Sequence, residues 1–124
     1  MIHHMSIGVG SVRESKRFYD AVLGALGYRC LFSDESSLGY GDKSPAFWVL
    51  EAKASRPGDA RPGLHVCFDA KGTAAVDGFH AAGLKSGGRD NGAPGIRADY
   101  APTYYAAFLV DPDGYRLEAF CEKR

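Results

Sequence analysis

Two imidazoles and two carboxylates recur at matching places along the chain. A shift of 61 positions brings His65 onto His4, and each half later carries the triplet Leu-Glu-Ala, with its carboxylate at Glu51 and at Glu118. Imidazole nitrogen and carboxylate oxygen suit borderline divalent ions such as Zn, Ni, Fe, Co and Mn, and no thiol stands at these positions to favour a softer metal. A mobile carboxylate can also move a proton. Alternate residues of a strand share a face, so Glu118 stands between Arg116 and Phe120, and Glu51 shares its side with Val49 and Phe47. Beside large apolar neighbours a buried carboxylate is costly unless a metal or a cation compensates. The other candidates read more plainly. His3 points the opposite way from His4, towards the surface or the helix, and His80, beside Phe79 on a helix, reads as exposed. Cys30 and Cys67 read as small buried hydrophobes. With Cys121 they make an odd set without Cys-x-x-Cys spacing, which argues against a disulfide framework or a cysteine zinc cage.

The elements that must position these groups occur twice. Residues 2–9 alternate with the period of a half-buried strand, and Ser11 with Glu14 forms a capping box for a helix carrying Val12, Ser15, Phe18, Tyr19, Val22 and Leu26. Gly27 stops that helix. Short strands are expected at 28–33, 37–41 and 46–52. The second half reads as a strand over 64–70, a helix over 73–83, an ill-defined segment near 86–89, and strands over 104–110 and 115–121. Asp111-Pro112-Asp113-Gly114 is a strong turn signal between the last two. The shift of 61 also pairs Phe68 with Ile7, Phe79 with Phe18 and Leu84 with Leu23. Each half is therefore β-α-β-β-β, joined by a linker at Ser55–Gly63. The glycines from Gly83 to Gly95 read as a long loop of functional interest.

Tyr100, Tyr104, Tyr105 and Phe108, with Arg97 before them, form the densest aromatic cluster. Tyr105 and Arg97 are candidate substrate-binding residues, with Arg97 holding an anionic group bidentately. The alternative is a loop packing its tyrosines on the sheet or on a second subunit. Trp48 walls a binding cup or packs in the core. No Gly-x-Ser-x-Gly elbow and no phosphate-cradling loop with a following Lys-Ser/Thr is present.

The chain's 124 residues fit one domain, and 15 basic against 15 acidic side chains give no electrostatic reason to expect nucleic acid or an anionic membrane as partner. No apolar run approaches the roughly 20 residues of a membrane span, and the first residues do not read as a signal peptide. A cytoplasmic protein is the expectation.

The sequence resembles the vicinal-oxygen-chelate superfamily, which includes glyoxalase I, bleomycin-resistance proteins and extradiol dioxygenases. The residues that carry the resemblance are Ile2-His3-His4-Met5, the helix Ser15-Lys16-Arg17-Phe18-Tyr19-Asp20-Ala21-Val22-Leu23-Gly24, the stretch Gly63-Leu64-His65-Val66, and Phe108 to Glu118. The likeness covers essentially the whole chain. It implies an α+β fold in which two βαβββ modules, about 1–54 and 63–124 of a single domain, form a cup of curved mixed sheets around a divalent metal. The family's metal positions map to His4, His65 and Glu118. For a further position on the fourth strand the repeat suggests Glu51, with Trp48 or Val49 in that slot if the register differs.

By the same resemblance the chain is expected to be a metal-dependent, glyoxalase-like lyase or isomerase. Its substrate would be a small molecule with vicinal oxygens, and Glu118, or Glu51 if it is a ligand, would move the proton. If only His4, His65 and Glu118 bind the ion, they make the two-histidine, one-carboxylate set of Fe(II) dioxygenases. A third reading is non-catalytic ligand sequestration of the bleomycin-resistance kind. Open sheet edges make a homodimer the expectation.

Overall fold

The first strand starts where alternate residues begin to be buried. In the computed structural model, which describes residues 1–52 and 64–123, β1 runs Met5–Val9 and turns Ile7 and Val9 inward. The expected start at Ile2 is three residues early, because Ile2, His3 and His4 lie exposed ahead of the strand. Ser11 caps α1 (Val12–Ala25), its Oγ accepting the Glu14 N–H at 3.2 Å. Helical spacing then buries Phe18, Tyr19, Val22 and Leu23 on one face, at about 1.5–3 kcal/mol for each large side chain. β2 (Arg29–Ser33), β3 (Ser37–Gly41) and β4 (Pro45–Glu51) complete the first half. The second half runs β5 (His65–Asp69), α2 (Thr73–Lys85), β6 (Arg89–Ile96), β7 (Tyr104–Val110) and β8 (Arg116–Glu122).

Each half makes one four-stranded mixed sheet, ordered β1-β4-β3-β2 and β5-β8-β7-β6. In both, the first and last strands pair in parallel and the other neighbours are antiparallel. The two βαβββ modules expected from the sequence are therefore present. The expected linker, Ser55–Gly63, lies outside the described residues. No helix among the described residues is long and apolar enough to cross a membrane.

The modules are joined through the turn after β7. Asp111 is buried, and its Oδ1 accepts the N–H groups of Asp113 and Tyr115, both at 2.9 Å. Its Oδ2 accepts the Tyr19 hydroxyl of α1 at 2.5 Å. Tyr115 reaches the other way, donating its hydroxyl to Gly8 O at 2.7 Å, and Gly10 N–H donates to Asp113 Oδ1 at 2.8 Å. Tyr19 also packs on Phe47, which meets Phe68 edge to face with centroids 5.3 Å apart. One core thus spans both halves.

Three local expectations are corrected. The glycines of 83–95 do not form a loop: α2 continues to Lys85 and β6 pairs with β7 through a register that shifts between Asp90 and Gly92 and again between Gly92 and Gly95. Gly92 takes a φ of 150°, and a side chain there would press on Phe108 and Arg97, so the bulge selects glycine. His80 is buried, not exposed. Its Nε2 lies 2.8 Å from Asp90 Oδ1, tying α2 to β6, and that bond holds the Asp90 carboxyl below its ordinary range. Cys67 is exposed and Cys30 half-buried, because Cys67 stands on the sheet face that α2 does not cover.

Candidate functional site

Period-two alternation divides β8 cleanly. Leu117, Ala119 and Cys121 are buried on the side that α2 packs against, which leaves Arg116, Glu118 and Phe120 on the helix-free face. Register adds His65 opposite Arg116 and Cys67 opposite Glu118 from β5, and Phe108 opposite Glu118 from β7. Glu118 is nonetheless only 4% exposed. Its Oε1 lies 2.8 Å from His65 Nε2 and its Oε2 accepts the Tyr104 hydroxyl at 2.5 Å. Burial and that bond to Glu118 both push the Tyr104 phenol upwards. Although Cys67 is exposed as a residue, its thiol lies against Glu118, where loss of water and the Glu118 charge push it up to about 12, which argues against a role as nucleophile.

Aromatic rings surround the carboxylate. Tyr104 lies over Phe120 with centroids 4.1 Å apart, Phe108 stands 6.0 Å from the His65 ring, and Tyr100 closes on Tyr104 at 5.0 Å. Arg97 sits over Phe108 at 5.2 Å, but its guanidinium is turned to its own strand: Nη1 donates to Gly95 O at 3.0 Å and Nη2 to Ala93 O at 2.6 Å. Tyr105 has the opposite parity from Tyr104. It faces α2 and donates its hydroxyl to Asp77 at 2.6 Å. Of the aromatic cluster it is Tyr104, not Tyr105, that reaches Glu118. That difference was legible in the strand parity Tyr104 shares with Phe108.

His4 is exposed just before β1, with its Nδ1 2.8 Å from His3 Nδ1. It lines a cleft of about 430 Å³ between the modules, together with His65, Cys67, Tyr28, Phe47 and Phe68. His65 therefore borders both this cleft and the Glu118 face. Among the described residues no three His, Cys, Asp or Glu side chains converge as a metal cage. The pair His65 and Glu118 is a nitrogen and an oxygen donor side by side, the chemistry a borderline ion takes, and His3 and His4 both line the cleft that His65 borders.

Glu51 stands elsewhere. It lies on the side of β4 that carries Phe47 and Val49, and its Oε1 accepts the Val12 N–H at 3.2 Å, at the start of α1. The register explains why. Ser6 pairs with Trp48 in the first sheet as Cys67 pairs with Glu118 in the second. Ser6 follows His4 by two residues and Cys67 follows His65 by two. The structural counterpart of Glu118 is thus Trp48, and the two Leu-Glu-Ala triplets are not equivalent. Trp48 is half-buried beside Phe32, with centroids 5.7 Å apart, and its ring covers Gly39.

No protein-family model matches the chain, and no curated protein does. Solved structures do. A glyoxalase/bleomycin resistance protein from Albidiferax ferrireducens T118 is 33% identical over 94% of this chain and 95% of that one, with a TM-score of 0.81. A glyoxalase-related enzyme from Fulvimarina pelagi is 14% identical over 97% of this chain and 86% of that one, with a TM-score of 0.73. A glyoxalase/bleomycin resistance protein/dioxygenase family enzyme from Burkholderia phytofirmans PsJN is 14% identical over 96% of each chain, with a TM-score of 0.72. At that identity the last two bear on the fold alone.

Proposed function

The chain belongs to the glyoxalase/bleomycin-resistance/dioxygenase superfamily, and on that premise we propose that it acts on a small molecule with vicinal oxygens at a divalent-metal site of His4, His65 and Glu118. The observation that carries this reading is the buried Glu118 carboxylate held 2.8 Å from His65 on the helix-free face of the second sheet. A carboxylate is not kept there by packing, since its neighbours are rings that would bury more readily against an apolar side chain. With Trp48 at the position that would supply a fourth donor, three protein donors remain, and Glu51 keeps its place at the helix start. Such a set suits Zn, Ni, Fe or Mn.

The ion, when bound, supplies Lewis acidity to the two vicinal oxygens and so acidifies the neighbouring C–H. Glu118 then takes the proton. The Tyr104 hydroxyl orients the carboxylate through Oε2, and Oε1, which faces His65, would serve the ion or the proton in turn and not both at once. Phe108 and Phe120 keep water from the face, and Arg97 stacked on Phe108 fixes that wall. Pairing of two chains is part of the proposal, because the helix-free faces and the edge strands β2 and β6 are open in one copy.

Metal analysis of protein purified without a histidine tag tests the reading. Near-stoichiometric metal, lost in His65→Ala with melting otherwise preserved, is expected. A metal content indifferent to His65 would overturn it. That outcome leaves ligand sequestration without a metal, a reading favoured by one observation: the Trp48–Phe32 aromatic plate where a fourth donor would stand.

A further inference from the structure

Arg116 brings to the Glu118 face a guanidinium that forms no ion pair within the described residues. It shares that face with Glu118 two positions on, and stands opposite His65 on β5 and Val110 on β7. Its Nε is buried and makes no hydrogen bond among the described residues. Its one hydrogen bond among the described residues is from Nη2 to Leu64 O at 3.5 Å, the outer limit of such a bond. Glu118, the nearest acid along the strand, bonds to His65 and Tyr104 instead and forms no ion pair with Arg116. A guanidinium with a buried, unanswered N–H is costly to maintain, and its planar fork matches a carboxylate.

We infer that Arg116 anchors a carboxylate on the ligand bound at the Glu118 face, so that the substrates of this chain are small acids carrying vicinal oxygens. This rests on the reading of that face as the ligand site. The sequence points to Arg97 for the same duty, but both of its terminal nitrogens are committed to Gly95 and Ala93. Arg116 has only the long contact to Leu64 O and lies on the same strand as the carboxylate proposed to move the proton. An acid held there has its carboxylate at the Arg116 end and its adjacent oxygens towards His65 and Glu118.

The test compares two probes that differ in this group alone: hydroxypyruvate, which carries the carboxylate, and dihydroxyacetone, which replaces it with a neutral alcohol. Their dissociation constants are measured by NMR titration of the whole protein, its metal occupancy recorded, for wild type, Arg116→Gln, Arg116→Lys and His65→Ala. The wild type is expected to bind the acid at least about tenfold tighter than the neutral probe. Arg116→Gln is expected to abolish that preference and leave dihydroxyacetone binding unchanged, while Arg116→Lys keeps part of it. A preference that survives in Arg116→Gln overturns the anchor, since the acid is then recognised by something else. Equal binding of both probes, sensitive to His65 but not to Arg116, overturns the anchor and keeps the ligand site. Binding of neither probe overturns both.

Discussion

Tyr19 and Asp111 stand 92 residues apart in the chain and share one hydrogen bond of 2.5 Å in the middle of the core. Tyr19 is fully buried and Asp111 is 2% exposed, so neither has water to turn to. The bond ties the helix of the first module to the turn that precedes the last strand of the second. That strand carries Arg116 and Glu118, so a contact far from the Glu118 face sets where the face sits.

Tyr19→Phe keeps the ring packing on Phe47 and removes only the hydroxyl. It leaves Asp111 Oδ2 buried without a donor, which costs about 1–3 kcal/mol. We expect the denaturant midpoint to fall accordingly with an unchanged slope. A variant as stable as wild type would show that the bond contributes nothing to the join.

Burial pushes the Asp111 carboxyl above its ordinary range, although Tyr19 and the two turn N–H groups pull the other way. With its folded value raised, the group contributes stability that is fully present below the ordinary carboxylate value of 3.8 and is lost as pH rises through the folded value. Asp111→Asn keeps an acceptor for the two N–H groups and cannot ionise. Its stability relative to wild type is therefore expected to improve as pH rises from the ordinary carboxylate value of 3.8 towards neutrality. Urea titrations across that range check this, and a flat difference would contradict it.

The two glutamates that look alike in sequence should behave as opposites. Glu51→Ala removes an acceptor from the first turn of α1 and is expected to cost roughly 0.5–2 kcal/mol, leaving metal content and ligand binding unchanged. Glu118→Gln is expected to abolish metal retention and turnover. Loss of metal in the Glu51 variant would return that residue to the ligand set.

Much of this architecture was legible because it rests on local chemistry. Ser11 and Glu14 announce the first helix, Asp111 to Gly114 announce the turn, and alternation in β8 separates Leu117 and Ala119 from Glu118. β6 was not legible. Asp90, Asn91, Gly92, Ala93, Pro94 and Gly95 lack both β-branched residues and alternation, and the segment becomes a strand only because β7 offers it a ladder. The same limit applies to Glu51. The letters repeat at Leu-Glu-Ala, but which face a strand residue takes is decided by pairing register, and a displacement of three residues reverses it. His65 and Glu118 were legible as donors, as was the parity of Tyr104 with Phe108, but that this parity meets Glu118 depends on how β7 pairs with β8.

His80 and Asp90 offer a last test, since their bond holds the glycine-rich strand to α2. Asp90 also accepts the Gly92 N–H at 3.0 Å, so one carboxylate both receives the histidine and shapes the bulge. The His80 bond is the larger cause of the lowered Asp90 value, followed by the Gly92 N–H. A lowered carboxyl contributes stability that is present above its ordinary value and lost as pH falls through the folded one. Asp90→Asn is therefore expected to melt below wild type at neutral pH, with the gap closing as pH falls below the ordinary carboxylate value of 3.8. Hydrogen exchange should rise first at the amides of β6, because α2 keeps its own buried face through Val76 and Phe79 while the strand loses its tie. Uniform exchange across the second module would mean that β7 alone holds β6 in place.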